Sequence, residues 1–313
     1  MVNIFKLDWK HFFLDLIQDP GITFRRVASI LRQGTSARKA EMIYSALIKK
    51  DSGYWSQYPE EMAEVEKMPW NQIPVVPYPL KGASMDIKVE KDGQEGLLYI
   101  VHDRKRLYFP RSMSVADAEL CYRSLMEGED IFGRGRVKSP HCYQDDNHKV
   151  CEGDVVVDVG SAEGLFALDV AEKASRIYLF EQLPRWDRPL KLSFAPFAEK
   201  TVIVNKLVAG KTDGETIRLS DAVKDDKAAV YFLKMDIEGW EKTVLEASRD
   251  FLCSHKVKVS CCVNHRQRDA EELSAFLSGI GFRVRFSEGF MLPPLDRIEA
   301  PYFRKGVIYA QNF

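Results

Sequence analysis

The chain has 313 residues, of which 45% are apolar and 29% charged, and a formal net charge of −1. That composition excludes a disordered or fibrous chain, and a charge so near zero gives no overall field to gather nucleic acid or an acidic surface. Six scattered cysteines (Cys121, Cys142, Cys151, Cys253, Cys261 and Cys262) without a C-x-x-C pair point to reduced thiols in the cytoplasm and away from structural zinc.

Met1–Asp19 mixes charges into its apolar run, so it reads as neither a secretory signal nor a membrane span. Helical patterns follow near Trp9–Gln18, Phe24–Gln33 and Ala37–Lys49. Between residues 21 and 50 seven basic residues (Arg25, Arg26, Arg32, Arg38, Lys39, Lys49, Lys50) meet one acid, Glu41. A solvated helix face explains them, and peripheral contact with a membrane or an anionic partner is the sharper alternative. Pro69, Pro74, Pro77 and Pro79 then make an extended connector, closing a first region at residues 1–80.

Residues 81–150 read as a small α+β segment. Met85–Phe109 patterns as strands with turns at Asp92-Gly93 and His102–Lys105, and Ser114–Glu127 as a helix capped by Ser114 with Asp117 three residues on. The polar, Gly-rich stretch 133–146 carries His141 and Tyr143 and either covers a site or joins two domains.

Residues 151–313 alternate strand and helix. Strands are expected at Asp154–Val159, Arg176–Phe180, Thr201–Asn205, Val230–Met235, Lys256–Cys262, Phe282–Phe286 and Gly306–Ala310. Helices are expected at 164–174, 186–195, 240–250 and 268–279. Such alternation means an α/β fold with a doubly wound sheet, parallel except for a reversed final strand at one edge.

The chemistry concentrates at Val155–Gly164, VVVDVGSAEG, a buried strand ending in Asp158 and a turn with Gly160, Ser161, Glu163 and Gly164. Glu181 ends the next strand 21 residues after Gly160, near the spacing at which an acid takes the two ribose hydroxyls of an adenosine ligand. Glu163 at the helix entry would repel a pyrophosphate, so a positively charged S-adenosyl ligand suits the turn better than NAD. The fourth strand runs into Asp236, Glu238, Gly239 and Glu241, and the first and fourth strands should flank the reversal point where ligands collect. Asp236 is therefore expected beside the ligand, Glu238 exposed at the turn, and Glu241 in the first helical turn, stabilised by the helix dipole.

VVVDVGSAEGLFAL, IYLFE, VIVNKLVAGKTDG, LKMDIEGWE and CCVNHRQRDAEELSAFLSGIGF together resemble the FkbM-type S-adenosylmethionine-dependent methyltransferases, with a weaker echo in PYFRKGVIYA. The resemblance covers about half the chain, from Cys151 onward. A common family form has Ala-Asn where this chain has Ser161-Ala162. It implies a class I methyltransferase (Rossmann-like) fold and O-methylation of a hydroxyl, often on a sugar, glycolipid or polyketide.

Candidate bases for the acceptor proton are Asp236, Glu238 and His265, the last following the fifth strand. A metal held by these three is the less favoured arrangement, since nothing in the spacing demands one. A hydroxyl acceptor fits better than nucleic acid, for which a basic, aromatic groove is wanting. The rivals are an NAD-dependent oxidoreductase and a cofactor-binding adaptor without turnover.

Overall fold

The computed structural model describes residue 53 and residues 56–67, 75–223, 229–292 and 300–313. The helices expected between residues 9 and 49, with their basic residues, lie outside these. The chain divides into two compact units, Met1–Ile73 and Pro74–Phe313. In the first, helix α1 (Pro59–Glu66) opens on a proline at its first position, where no backbone donor is needed, and buries Met62 and Val65.

The second unit begins with a three-stranded antiparallel sheet, β1 (Val89–Lys91), β2 (Leu98–His102) and β3 (Lys105–Tyr108), turning at the two expected places. Helix α2 (Val115–Arg123) starts in a capping box, Ser114 and Asp117 satisfying each other's backbone donors.

A seven-stranded sheet follows, with order β11-β12-β10-β9-β4-β5-β6. Its strands are β4 (Val155–Val159), β5 (Arg176–Phe180), β6 (Thr201–Val204), β9 (Val230–Met235), β10 (Lys256–Cys262), β11 (Arg283–Phe286) and β12 (Val307–Gln311). A small parallel pair, β7 (Leu207–Val208) and β8 (Thr216–Ile217), stands apart and was not expected. The helices are α3 (Leu165–Asp169), α4 (Asp187–Ser193), α5 (Leu219–Ala222), α6 (Glu241–Ala247), α7 (Arg249–Ser254) and α8 (Asp269–Gly279).

The first and fourth strands of the doubly wound region, β4 and β9, are neighbours, and the chain order reverses between them as expected. This is the Rossmann-like arrangement. The reversed strand is β12, antiparallel to both β10 and β11, so it lies inside the sheet and not at the edge. The cause is legible in the residues. Val307–Ala310 is apolar throughout and buried, whereas Arg283–Phe286 alternates charge with apolar side chains and takes the edge.

Alternate strand residues face opposite cores. Val156, Ile177, Leu179 and Phe232 meet Leu107, Phe109, Tyr122, Tyr143 and Phe166 on one face. Val157, Tyr178, Tyr231 and Leu233 meet Leu245, Leu252, Leu273 and Leu277 on the other. Residues 81–150 thus pack into the same core as the sheet. Helix α3 stops well short of the expected residue 174, and the chain beyond it tightens into turns, with the Ala171 N–H on the Leu168 carbonyl and the Lys173 N–H on the Val170 carbonyl. No helix among the described residues is long and apolar enough to cross a membrane.

Candidate active site

The turn after β4 is closed by protein on the sides where its glycines are needed. Gly160 has φ +77°, and a Cβ there would stand 2.1 Å from the Asp236 carbonyl oxygen. Gly164 has φ +78°, and its Cβ would meet Leu190 at 2.8 Å and Phe194 at 2.9 Å. Both glycines therefore admit close packing against β9 and α4, where the sequence suggested close approach to a ligand. Gly160→Ala is expected to cost about 4 kcal/mol, from left-handed strain plus a backbone clash. Denaturant unfolding measures this, and a loss under about 1 kcal/mol would mean that the turn yields.

Asp158 is buried, and in register with it on the adjacent strand stands Lys234, whose Nζ lies 3.0 Å from Asp158 Oδ1 and donates to the Gly160 carbonyl at 2.9 Å. Burial opposes the charge on Lys234, yet Asp158 and Asp236 hold its pKa above the ordinary lysine value. This corrects the picture of unopposed carboxylates at the turn. Lys234 offsets Asp158, and burial raises Glu163 to about 7, so Glu163 carries only part of a charge at neutral pH. The cleft still leans acidic, because Glu129, Asp158, Glu163 and Asp236 line it against Lys234.

Glu181 spans the turn. Its Oε2 accepts from the Ala162 N–H at 3.0 Å and its Oε1 from the Leu183 N–H at 2.7 Å. Each carboxylate oxygen keeps a further lone pair. Ser161 Oγ is buried without a hydrogen-bond partner among the described residues.

Asp236, just past β9, is the centre of the arrangement. Its Oδ2 accepts from the Tyr143 hydroxyl at 2.6 Å and lies 3.7 Å from His141 Nε2. Its Oδ1 lies 3.4 Å from His265 Nε2. Burial alone would raise the Asp236 pKa, but the two imidazoles and Lys234 hold it far below the carboxylate range. The other nitrogen of His265 contacts Glu241 Oε1 at 2.9 Å, and the same oxygen accepts from the Ile237 N–H. Burial opposes protonation of His265, yet Glu241 and Asp236 raise it to about 9. These carboxylates therefore keep His265 protonated at neutral pH. Glu241 is 1% exposed. It is an orienting partner for His265 and not merely a charge on a helix dipole. The Glu238 side chain is 91% exposed, at φ +57°, with Oε2 3.8 Å from His265 Nε2.

The loop at 133–146 is a fixed strap. The Asp130 carboxylate accepts from the N–H groups of Arg134, Gly135 and Arg136. Ser260 Oγ donates to the Tyr143 carbonyl at 2.7 Å, and the Tyr309 hydroxyl donates to the Cys142 carbonyl at 2.6 Å. His141 and Tyr143 are thereby carried onto Asp236. Lys234, Glu129 and the role of Glu241 escaped the sequence reading. A lysine inside an apolar strand next to one bearing Asp158 was the available signal, since a buried charge needs a partner.

Among the described residues, two donor sets at this site are close enough to take a cation: Asp236, Glu241 and His265, and His141, Asp236 and Cys262, with atoms within 4.8 Å of one another in each.

Residues 158–284 match the family described as the Methyltransferase FkbM domain. No curated protein matches the chain. Among solved structures, methyltransferase FkbM from Methylobacillus flagellatus KT is similar over 52% of this chain and 44% of its own, at 19% identity and a TM-score of 0.41. The present chain thus spans less than half the length of that protein. Precorrin-6y C5,15-methyltransferase from Geobacter metallireducens GS-15 is similar over 53% of this chain and 82% of its own, at 14% identity and a TM-score of 0.36. For the fibrillarin pre-rRNA processing protein of Methanococcus jannaschii the shares are 73% and 98%, at 14% identity and a TM-score of 0.37.

Proposed function

From a chain that carries a methyltransferase FkbM domain over residues 158–284, we propose an S-adenosyl-L-methionine-dependent O-methyltransferase acting on a hydroxyl of a sugar, polysaccharide or glycolipid. The observation that carries this reading is the Glu241–His265 pair beside Asp236, at the carboxyl ends of β9 and β10. A histidine held at one nitrogen by Glu241, with the other on the Asp236 side, accepts a proton once it is neutral. A hydroxyl must lose one to be methylated.

Such a domain takes S-adenosylmethionine, which supplies a methyl group already activated by its sulfonium. The residues present fit that group. The acidic lining of the cleft favours a cation over a phosphate, and the unpartnered Ser161 Oγ and the remaining lone pairs of Glu181 await polar atoms. Asp158, Gly160, Ser161, Glu163, Gly164, Glu181 and Asp236 are the residues we assign to holding it.

Among the catalytic residues, Asp236 stays ionised and orients the acceptor, and His265 takes its proton, steadied by Glu241. Glu238, exposed at the rim, contacts the incoming acceptor. The same acidic lining disfavours nucleic acid. We place the protein in the cytoplasm, where its cysteines stay as free thiols. The basic stretch at residues 25–50 remains our candidate for contact with a membrane or anionic partner.

The direct test is product mass after incubation with labelled methyl donor and candidate glycosides. Transfer to nitrogen or carbon alone would sink the O-methylation reading. Because His265 must be neutral to act, kcat/KM is expected to climb nearly tenfold per pH unit until about pH 9. Its raised pKa also means a contribution to stability that is whole below the ordinary value of 6.5 and lost as pH rises toward 9. Rate should therefore rise while the melting temperature falls across the same window. A flat profile would remove His265 from the base role. We further expect activity to survive exhaustive chelation, and loss restored by Mg²⁺ or Mn²⁺ would make Asp236 and His265 metal ligands.

A further inference from the structure

We propose that Glu129, His141 and Tyr143 form a positioning unit that fixes the Asp236 carboxylate, leaving one of its oxygens for the acceptor side. The inference rests on the reading of Asp236 as the acceptor-side carboxylate. Its basis is a run of contacts from outside the matched domain. His141 Nδ1 lies 2.6 Å from Glu129 Oε2, His141 Nε2 lies 3.0 Å from the Tyr143 hydroxyl, and that hydroxyl donates to Asp236 Oδ2 at 2.6 Å.

The single proton of Tyr143 sets the last of these contacts. The Tyr143 hydroxyl has one proton, and at 2.6 Å Asp236 receives it. His141 Nε2 lies against the tyrosine oxygen and, at 3.2 Å, against Cys262 Sγ, while Nδ1 faces Glu129 as an ion pair. An imidazolium suits both sides, facing the carboxylates of Glu129 and Asp236. The protonated form is the one the site holds, since Glu129, Asp236 and Cys262 outweigh the burial that opposes it. The Tyr143 hydroxyl and the His141 charge both face Asp236 Oδ2, and a charge-assisted arrangement of this kind favours one rotation of the carboxylate.

The remaining wall is rigid. Tyr143 stacks edge-on against Phe166 at 5.6 Å, its ring lies 5.3 Å from the Lys234 ammonium, and its carbonyl is held by Ser260. His141 is 4% exposed. It does not meet solvent, so it steadies the site and does not exchange the acceptor proton. His265 and Glu241 form the opposite arm, on the other oxygen of Asp236. One arm is sealed and one is open.

Two measurements test this. In the first, Tyr143→Phe removes the last donor with little change of shape, and kcat is expected to fall about 100-fold, the scale of a misaligned reacting group. Affinity for S-adenosylmethionine, read by calorimetry, should stay within about threefold, less than 1 kcal/mol. Glu129→Gln keeps an acceptor for His141 but loses the charge, and should fall about tenfold. The double variant should lose less than the product of the two single losses, because both groups act on the same carboxylate. Additive losses, or a kcat within threefold of wild type for a folded Tyr143→Phe, would overturn the proposal.

The second measurement needs no acceptor, so it separates this inference from the assignment of O-methylation. The ring nitrogens of His265 are followed by NMR through a pH titration, in wild type and in Tyr143→Phe. His265 faces Asp236, Glu238 and Glu241, and Arg304 holds its carbonyl. Freed from Tyr143, Asp236 pairs more strongly with His265, and the midpoint should move upward. An unmoved midpoint would show that Tyr143 does not govern Asp236.

Discussion

Asp236→Asn is expected to lower methyl transfer about a thousandfold while the protein stays folded. The carboxylate stands between two imidazoles, with Tyr143 on one oxygen and His265 opposite the other. An amide keeps the shape and still accepts from Tyr143, so packing survives. What disappears is the negative charge that orients the acceptor and supports positive charge on His265. The His265 titration should accordingly fall from about 9, since its remaining carboxylates are Glu241 and the exposed Glu238. Rates with labelled methyl donor, read beside a melting curve, decide the matter. Activity within tenfold of wild type would move the acceptor site away from Asp236.

The second large effect belongs to Lys234→Met. The Asp158 carboxylate is fully buried, and Lys234 is its ion-pair partner at 3.0 Å. Removing one member of such a pair strands the other, at about 3–5 kcal/mol. For a protein of this size that corresponds to a melting temperature lower by roughly 10 °C. The sign of the pH dependence follows from Asp158. Burial already pushes its pKa upward against the pull of Lys234, and without the lysine it rises further. The penalty should then be small at acid pH, where Asp158 is protonated in both states, and grow as pH rises through its folded value. Pairing the change with Asp158→Asn should restore most of the stability, because no buried charge is left alone. A double variant as unstable as Lys234→Met would show that the lysine acts through the Gly160 carbonyl it also holds.

Much of the sheet was legible because buried strands announce themselves locally. Arg176–Phe180, Val230–Met235 and Lys256–Cys262 begin and end where their β-branched and apolar runs do. Ser114 marked its helix, since a capping box is a contact within four residues. Boundaries set by distant groups were less accessible. Helix α3 ends at Asp169, whose carboxylate meets His102 and Arg134, contacts that no helical periodicity encodes.

At the site the division is sharper. Asp158, Asp236 and His265 could be picked out because each ends a strand, and strand ends in a doubly wound sheet gather at one edge. Their partners could not. Lys234 finds Asp158 only through the parallel register of β4 and β9, and Glu241 reaches His265 across the turn after β9. His141 and Tyr143 come from a polar loop whose place is set by Asp130, Ser260 and Tyr309.

The sequence by itself determined the seven strands of the large sheet, the reversal between β4 and β9, and the acids at the strand ends, because these depend on side-chain period and on glycines within a few residues. Tertiary structure alone decided the charge each acid carries and which oxygen of Asp236 is bound. Ionisation depends on burial and on neighbours a few ångströms away, and those neighbours come from parts of the chain remote in sequence.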